Sequence, residues 1–289
     1  MKLSYRYKKL GIEFEEEANV KPSLRINTLK IEPEQLIQRL ESKGVQLEKI
    51  PYLDFGYYYN ADFSLASTQE FLQGYFYIQE AASQLPVQVL GVEKTDVVLD
   101  MAASPGSKTT QLAQYTTNTI VALDVQRHRL ESLKNNVERL SIPNVVILNK
   151  DAQYADDVGV FDKILLDAPC SGNFCVNPNY YSERTIFDIQ DRAKLQKKLI
   201  KTASKCLKPG GVMVYSTCSL EVEENEEVID FALKNTDLKL VSTALTIGDE
   251  GLTKTYEGEL DSSLTKCRRF WPHKTKTEGF FIAKLVKKK

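Results

Sequence analysis

Six side chains of this 289-residue sequence that can do chemistry stand directly after, or close behind, apolar runs. They are Asp100, Asp124, Asp151, Asp167, Cys170 and Cys218. A carboxylate in such a place can accept hydrogen bonds from ribose hydroxyls, as Asp124 could, or meet an adenine edge, as Asp151 could. A cysteine can act as a covalent nucleophile. Each aspartate alone could equally cap a helix, and the cysteines could equally be buried and inert.

The spacing of the apolar runs predicts how these side chains are brought together. Five runs rich in Val, Ile and Leu lie at 96–100, 119–123, 144–148, 161–166 and 211–215, with helical stretches at 107–115, 126–140 and 189–207. Strands that alternate with helices predict an α/β domain with a doubly wound, mostly parallel sheet. Ligands of such a sheet bind beyond the carboxyl ends of its strands. We therefore expect the aspartates and the cysteines at one edge of the sheet.

The stretch 96–110, DVVLDMAASPGSKTT, reads as a strand, a tight turn and the start of a helix. A phosphate-binding loop would need glycines at two places that Ala102 and Ser107 occupy here. The dinucleotide pattern also fails, because Gly106 is the only glycine of the turn. A cofactor without phosphates fits better, and S-adenosylmethionine is the candidate. We expect the turn to hold it through Ala102, Ala103, Ser104, Pro105, Gly106, Ser107 and Lys108.

Residues 1–75 are predicted to form a small α+β module of the RRM-like type, followed by a catalytic domain at 76–289. The predicted elements of the module are a strand at 24–30, a helix at 33–43, and strands at 45–50 and 53–59. Many tyrosines and phenylalanines interleave here with basic residues, which is typical of a base-stacking surface and equally of half-buried strands. A helix over 79–90, which Pro86 should kink or end, leads into the main domain.

Charge is segregated along the chain, although the net charge is only −1. Basic residues concentrate at 192–208 and 266–289, and acidic residues concentrate at 15–17 and 221–227. Segregation of this kind can give a neutral protein a basic face for nucleic acid. It can equally reflect solvated helix faces and a frayed tail.

The composition, with 42% hydrophobic and 27% charged residues, is that of a globular protein. No apolar run is long enough to span a membrane, and the N-terminus lacks the apolar core of a signal peptide. We expect a cytoplasmic monomer without a membrane or metal partner, and an accessory protein is left open. The five cysteines are then expected to be thiols.

Five stretches together carry a resemblance to a known family. Besides the turn at 100–109, they are RINTLK at 25–30, DAPCSG at 167–172, YSTCSLEVEENE at 215–226 and RRFWPHKTKTEGFFIA at 268–283. They resemble the motifs of the Fmu/Sun (Nop/Sun) family of RNA cytosine-C5 methyltransferases, in particular its archaeal tRNA-modifying type. The family's first motif is usually DxxAAPGGKT, and Ser104 and Ser107 replace an alanine and a glycine here. The resemblance implies a Rossmann-like fold, S-adenosylmethionine as cofactor and an RNA substrate.

The resemblance also implies a role for each site residue. Carbon 5 of cytosine is a poor nucleophile, and a thiolate added to carbon 6 activates it. In the family this thiolate belongs to the TCS cysteine, here Cys218, while the cysteine of the ProCys pair, here Cys170, helps to release the product. Asp167 would hydrogen-bond the cytosine beside the cofactor, and Lys108 would orient it. Arg129 would lie near the cofactor, as would the strand-end aspartates.

Physical argument adds two expectations about the surroundings of Cys218. Ser219 and Glu221 look like the start of a helix over 221–234, whose dipole would lower the pKa of the Cys218 thiol. The glutamates of this segment would oppose that effect if they faced the thiol. We therefore expect their side chains to face solvent.

The remaining candidates are less specific. Arg269 and His273 fall in the family's closing motif and are expected near the RNA, although His273 could equally be a turn residue. Cys175, Cys206 and Cys267 fit no such role and are taken as structural.

The sequence thus predicts methylation of carbon 5 of cytosine in RNA, with tRNA favoured and rRNA as the alternative. A DNA cytosine methyltransferase would use Cys170 as nucleophile instead. A methyltransferase of small molecules or proteins would not need paired cysteines, and a non-catalytic RNA-binding module would keep the basic face without the cofactor.

Overall fold

The computed structural model describes residues 4–16 and 18–289, which form two units, each built around its own sheet. Helix α1 (Ser4–Lys9) precedes the first unit in sequence but packs through Tyr7 against Tyr180 and Trp271 of the second unit. The first unit contains β1 (Ser23–Ile26), α2 (Pro33–Glu41), β2 (Gln46–Lys49), β3 (Gly56–Asn60), α3 (Gln69–Leu72) and β4 (Phe76–Ile78). The second contains α4 (Ala81–Leu90), β5 (Val98–Asp100), α5 (Ser107–Leu112), β6 (Ile120–Asp124), α6 (Arg127–Arg139), β7 (Val145–Asn149), β8 (Phe161–Asp167), α7 (Tyr180–Glu183), α8 (Ile186–Cys206), β9 (Leu207–Thr217), α9 (Glu226–Asn235), β10 (Leu238–Val241), β11 (Asp249–Glu250), β12 (Arg268–Phe270), α10 (Pro272–Thr275) and β13 (Phe280–Lys287). Glu17, part of the predicted acidic group at 15–17, lies outside the described residues.

The N-terminal sheet is antiparallel, with the strand order β2-β3-β1-β4. Strand β1 pairs on both sides, since its Leu24 lies opposite Tyr57 of β3 and opposite Ile78 of β4. Helix α2 buries Leu36 and Leu40, four residues apart on one helix face, in the same apolar cluster as Leu24. The sheet therefore includes β4, which lies beyond residue 75.

The main sheet has the predicted doubly wound architecture. Strands β9-β8-β5-β6-β7 lie side by side and are parallel, and β13 pairs with β9 in the antiparallel direction. From β5 the chain moves outward to β6 and β7 and then returns to β8 on the other side of β5. Ligand sites of doubly wound sheets occur where the order reverses in this way. The mostly parallel, Rossmann-like fold is confirmed.

Helix α4 passes through Pro86, contrary to the expectation that the proline could end it. The helix continues to Leu90 and stops at Gly91, whose left-handed backbone (φ 63) closes the last turn. Proline removes one backbone donor, but Pro86 is buried, as are its neighbours Leu85 and Val87. Their packing in the core beside the main sheet offsets the missing hydrogen bond.

Helix α8 carries the basic segment and is the longest helix of the described residues. It begins at Ile186, three residues before the predicted start, because Thr185 and Asp188 form a capping box. The helix connects the parallel strands β8 and β9 and must run antiparallel to them, so its first half lies near the carboxyl edge of the sheet. Within residues 4–16 and 18–289, no helix is both long enough and apolar enough to cross a membrane.

Candidate active site

A cavity of about 420 Å³ opens at the carboxyl edge of β5, β6 and β8. The predicted residues that line it are Ala102, Ser104, Asp124, Arg129, Asp151, Asp167, Cys170 and Cys218. Of the other predicted residues, Ala103, Gly106 and Lys108 are buried, Ser107 is half-buried and Pro105 is exposed. The fold therefore brings both cysteines together with Asp124, Asp151 and Asp167 at one site, at the point where the strand order reverses.

Cys170 and Cys218 lie side by side on two neighbouring loops. Cys170 follows β8 by three residues and Cys218 directly follows β9, and these two strands are adjacent and parallel. The two Sγ atoms are 3.1 Å apart. Both side chains line the cavity. A planar ring that entered the cavity would therefore meet both sulfurs at the same edge.

The pKa of the Cys170 thiol lies well above its usual range. The hydrogen bond with Cys218 is the largest cause, followed by desolvation and by the negative charges of Cys218 and Glu224. A thiol with a raised pKa keeps its proton at neutral pH. Cys170 is therefore suited to donate a hydrogen bond to the sulfur of Cys218.

Asp167 is held by two donors at the end of β8. Lys108 Nζ lies 2.7 Å from Oδ2, and the Ser216 hydroxyl donates to Oδ1 at 2.7 Å. Burial opposes the charge of Lys108, but the attraction of Asp167, Cys218 and Asp100 together raises the pKa of the lysine. The ammonium also lies 5.4 Å from the centre of the Phe280 ring. These contacts fix the direction in which the Asp167 carboxylate faces the cavity.

The turn after β5 has buried polar atoms that fit the methionine part of S-adenosylmethionine. Asp100 Oδ2 accepts from the Thr109 hydroxyl at 2.7 Å, while Asp100 Oδ1 and the Ser104 hydroxyl are buried without a hydrogen-bond partner in the described chain. Burial raises the pKa of Asp100 to about 7. At the tip of the turn, Gly106 has φ 105, and a Cβ there would lie 2.8 Å from a methyl carbon of Leu133. Only glycine fits this position.

Asp124 and Asp151 form the other end of the cavity. Each accepts a hydrogen bond from the backbone N–H two residues further on, at 2.9 Å in both cases. Arg129 lies 3.8 Å from Asp124 Oδ2 and donates to the backbone carbonyl of Ser104 at 2.7 Å. Both aspartates thus stabilise their own turns, as the alternative interpretation expected, and still line the cavity that suits an adenosyl group.

The acidic segment after Cys218 differs from the prediction in two ways. Helix α9 begins at Glu226, eight residues beyond Cys218, so the thiol does not lie at a helix N-terminus and the dipole argument was wrong. Four of the five glutamates are buried instead of facing solvent. Their charges are compensated by distant partners, since Arg6 pairs with Glu221 and Arg269 pairs with Glu226.

Arg269 does not fit the expected role near the RNA, and the place of His273 relative to RNA stays a prediction. The Arg269 side chain is 1% exposed, lies 2.5 Å from Glu226 and donates to the carbonyl of Leu220 at 2.8 Å. A buried and paired guanidinium cannot reach a phosphate, so Arg269 instead holds the turn that follows Cys218. His273 is half-buried, and its ring packs edge-on against Phe14.

Sequence reasoning missed Ser216 and Leu195 at this site, and it named Arg192 only as part of the basic segment at 192–208. Ser216 lies directly opposite Asp167 in the pairing of β8 with β9, so aligning the two predicted strand ends would have found it. Arg192 and Leu195 line the cavity from helix α8, which is distant in sequence from most of the cavity wall. The three remaining cysteines are buried or half-buried away from this cavity.

Comparison with known proteins places the chain in a family. Residues 87–286 match the family described as 16S rRNA methyltransferase RsmB/F, and residues 6–81 match the N-terminal domain of 16S rRNA methyltransferase RsmF. The chain belongs to the RsmB/F family. This is the Fmu/Sun family of RNA cytosine-C5 methyltransferases, so the resemblance that the motifs carry is confirmed. The family depends on S-adenosylmethionine, which the cavity residues fit.

Relatives within the RsmB/F family modify different RNAs. The chain is 40% identical to the tRNA (cytosine(49)-C(5))-methyltransferase of Pyrococcus abyssi, over 99% of this chain and 96% of the relative. It is also 40% identical to the human 28S rRNA (cytosine(4447)-C(5))-methyltransferase, over 94% of this chain but 35% of that protein. The chain therefore spans about a third of the length of the human relative.

Among solved structures, a methyltransferase homolog protein from Pyrococcus horikoshii is 41% identical to this RsmB/F family member. The two superpose with a TM-score of 0.85, over 94% of this chain and 88% of the other.

Proposed function

We propose that the chain transfers the methyl group of S-adenosylmethionine to carbon 5 of cytosine in RNA. The observation that carries the proposal is the pair of thiols, 3.1 Å apart, in one cavity with Asp167 and the cofactor turn. Methyl transfer to an oxygen or nitrogen needs no thiol, whereas carbon 5 of cytosine needs covalent activation. Membership of the RsmB/F family supports RNA as the polymer.

In the proposed mechanism the two cysteines act in turn on adjacent carbons of the same base. The thiolate of Cys218 bonds to carbon 6, which makes carbon 5 nucleophilic. S-adenosylmethionine, when bound, supplies the electrophilic methyl group. Cys170 then assists removal of the proton from carbon 5. The electron pair of that bond restores the carbon 5–carbon 6 double bond and expels the Cys218 thiolate.

Asp167 is proposed to select cytosine. Its side chain is 28% exposed, so lone pairs not used by Lys108 and Ser216 remain available in the cavity. They can accept a hydrogen bond from the exocyclic amine of cytosine, whereas uracil presents a carbonyl oxygen at that place. The target base must leave its stack to reach this carboxylate, which costs a few kcal/mol.

We propose tRNA as the substrate and rRNA as the second candidate. The archaeal relative named for tRNA matches nearly the full length of both proteins, and this supports tRNA. The equal identity to a 28S rRNA enzyme keeps rRNA as the alternative.

This assignment predicts that label from S-adenosylmethionine will appear as 5-methylcytosine in tRNA. The test is to incubate the chain with unmodified tRNA, rRNA fragments or single-stranded DNA and to analyse the nucleosides. Preferential label in rRNA would replace tRNA by the second candidate. Label in DNA alone, or no binding of S-adenosylmethionine by calorimetry, would refute the assignment.

We infer that the RNA next to the target base lies in a groove along the first half of α8. Arg192 and Leu195 line both the active-site cavity and a neighbouring one, which Arg184 also lines. Arg184 in turn borders a larger cavity of about 910 Å³. Arg184 and Arg192 are exposed and form no ion pair with any residue that the structure describes. Exposed guanidinium groups along a groove suit the phosphates of an RNA strand.

The other basic residues are less suited to this role. Lys205 lies about 20 Å along the helix from Arg192, toward the opposite edge of the sheet. Lys287 donates to the carbonyls of Ser204 and Leu207 at 2.7 and 2.8 Å, and so closes the end of α8. We therefore restrict the RNA contacts near the target to the first half of the helix.

Changing both Arg184 and Arg192 to Ala is expected to raise the KM for RNA about tenfold. The slope of log affinity against log salt should become smaller in magnitude by about 1.4, because each lost phosphate contact on a single strand removes about 0.7. The measurement is RNA binding at several salt concentrations. The matched control is the double change Lys198→Ala and Lys201→Ala, two exposed lysines on the same helix. Equal effects of the two double changes would contradict the groove.

We also propose that the N-terminal unit, predicted at 1–75 but reaching to β4 (Phe76–Ile78), contacts RNA and that the residues after it form the catalytic domain. Arg25 of β1 is buried and donates to the carbonyl of Ser107 at 2.6 Å and to the Thr110 hydroxyl at 2.9 Å. The N-terminal unit is thereby fastened to the cofactor turn. RNA held by this unit would keep a fixed position relative to the cavity.

A further inference from the structure

The side chain of Glu224 lies between the two loops that carry the cysteines. Glu224 is fully buried. Four hydrogen-bond donors contact its carboxylate. Oε2 accepts from the backbone N–H of Ser171 at 3.0 Å and from the Gln196 side chain at 2.8 Å. Oε1 accepts from the Ser219 hydroxyl at 2.8 Å and from the Ser171 hydroxyl. Ser171 directly follows Cys170, and Ser219 directly follows Cys218.

A single oxygen atom of Glu224 therefore joins the two loops. The hydroxyls of Ser171 and Ser219 are 3.5 Å apart and interact only weakly with each other, whereas both donate to Oε1. A movement of one loop would break a hydrogen bond to this buried oxygen unless the other loop moved with it, and a buried polar group that loses a partner is costly.

Two asparagines complete the connection between the loops. Asn173 belongs to the Cys170 loop, and its side chain donates to the carbonyl of Cys218 on the other loop at 2.6 Å. The Asn225 side chain accepts from the Thr217 hydroxyl at 2.6 Å and donates to the carbonyl of Ser219 at 2.8 Å. Both flanks of Cys218 are thereby fixed without a helix.

The backbone of Glu224 and its donor Gln196 are fixed as well. The Tyr215 hydroxyl of β9 donates to the Glu224 carbonyl at 2.6 Å. Gln196 donates at 3.0 Å to the carbonyl of Pro169, the residue before Cys170, as well as to the Glu224 carboxylate. The carboxylate thus has a rigid frame and contacts made from α8 and from both cysteine loops.

We propose that Glu224 is a positioning residue that sets the separation of the Cys170 and Cys218 sulfurs, a role that rests on the proposed function, in which both act on one cytosine. Carbon 5 and carbon 6 are bonded neighbours, so the two sulfurs must stay close together to act on them in turn. A misplacement of about 1 Å in a catalytic group can cost about 10²-fold in rate. Glu224 itself does not touch the base.

The two serines allow the role to be tested one loop at a time. Ser219→Ala loosens the Cys218 loop and is expected to slow formation of the covalent RNA adduct about tenfold. Ser171→Ala loosens the Cys170 loop and is expected to slow product release by a similar factor, so that adduct accumulates. Single-turnover adduct formation, steady-state kcat and the KM for RNA are measured on each variant. A general loss of stability would not slow adduct formation in one variant and product release in the other. The KM for RNA should stay unchanged in both variants.

Substitutions of Glu224 test the shared oxygen directly. In Glu224→Gln, the amide can face the two serine hydroxyls, which rotate to accept, so we expect kcat to fall only a few-fold. Glu224→Ala removes every acceptor, and we expect about 10²-fold lower kcat. Crosslinking of Cys170 to Cys218 by dibromobimane, mapped by peptide mass, should slow in Glu224→Ala alone. Glu223→Gln is the matched control, because the Glu223 carboxylate is next to Glu224 in the sequence but pairs with Arg6.

The outcomes separate this inference from the proposed function. If Cys218→Ser keeps methyl transfer, the covalent mechanism fails and the role of Glu224 fails with it. A second outcome is that Cys218→Ser is inactive while Ser219→Ala and Ser171→Ala form the adduct and release the product at the rates of the unchanged chain. In that case the mechanism stands and the positioning role is refuted. The serine variants give this answer even if Glu224→Ala does not fold.

Discussion

Cys218→Ser is expected to abolish methyl transfer to RNA, with kcat lower by about 10⁴-fold or more. A serine hydroxyl has nearly the shape of the thiol but is almost never ionised near neutral pH, so it cannot add to carbon 6 of cytosine. The side chain of residue 218 is half-buried at the cavity wall, and we expect the variant to fold normally. The measurement is transfer of labelled methyl groups to RNA at saturating cofactor.

The control for this substitution is Cys175→Ser. Cys175 is also a half-buried free thiol, but it does not line the active-site cavity. Burial raises the pKa of its thiol to about 11, so it stays protonated and unreactive at neutral pH. Cys175→Ser should keep most of the activity. Binding of S-adenosylmethionine should survive in both variants, and full activity of Cys218→Ser would exclude the covalent mechanism.

The residues at the strand ends could be predicted from the sequence because their signal is local. Each apolar run ends within a few residues of Asp100, Asp124 or Asp167, and parallel strands bring their carboxyl ends to one edge. The turn at 100–109 also argued against phosphate binding, because Ala102 and Ser107 occupy the places where a phosphate-binding loop has glycine. The fold and most of the cavity wall follow from such patterns.

The segment after Cys218 could not be predicted in the same way. Its glutamates are good helix formers and mostly follow one another without apolar residues between them, so local propensity favours a solvent-facing helix. In the structure the partner of Glu221 is Arg6, 215 residues away, and Glu224 meets Ser171, 53 residues away. Burial of a carboxylate is tolerated only where such partners exist, and they become visible only when the chain is folded. The error in the helix start follows from the same long-range contacts.

The positioning of the nucleophile also has a different physical basis from the one that the sequence suggested. A helix dipole would have acted on the charge of the thiol, but α9 begins too far away to do so. The structure instead provides fixed geometry, with Cys218 held on both flanks and its sulfur 3.1 Å from that of Cys170. The hydrogen bond with Cys218 and burial also hold the pKa of Cys170 well above its usual range.

Cys170→Ala is expected to leave an enzyme that attacks RNA and transfers the methyl group but releases the product about 10²-fold more slowly. Cys218 remains able to bond to carbon 6, while the group that assists removal of the proton from carbon 5 is missing. A protein–RNA adduct that survives denaturation should therefore accumulate when S-adenosylmethionine is present. The measurement is a shifted band on a denaturing gel, and the double change of Cys170 to Ala and Cys218 to Ser should not form it.

The environment of Cys170 explains why the order of steps matters. Before attack, the hydrogen bond with Cys218, desolvation and the charge of Cys218 hold the pKa of Cys170 high. Once the sulfur of Cys218 is bonded to carbon 6, its charge is lost and it becomes a poor hydrogen-bond acceptor, so two of these causes disappear. We therefore expect the pKa of Cys170 to be lower in the adduct, where the thiol can pass its proton to solvent and then take the proton of carbon 5. Accumulation of the adduct in Cys218→Ser instead of Cys170→Ala would show that the two cysteines have the opposite roles.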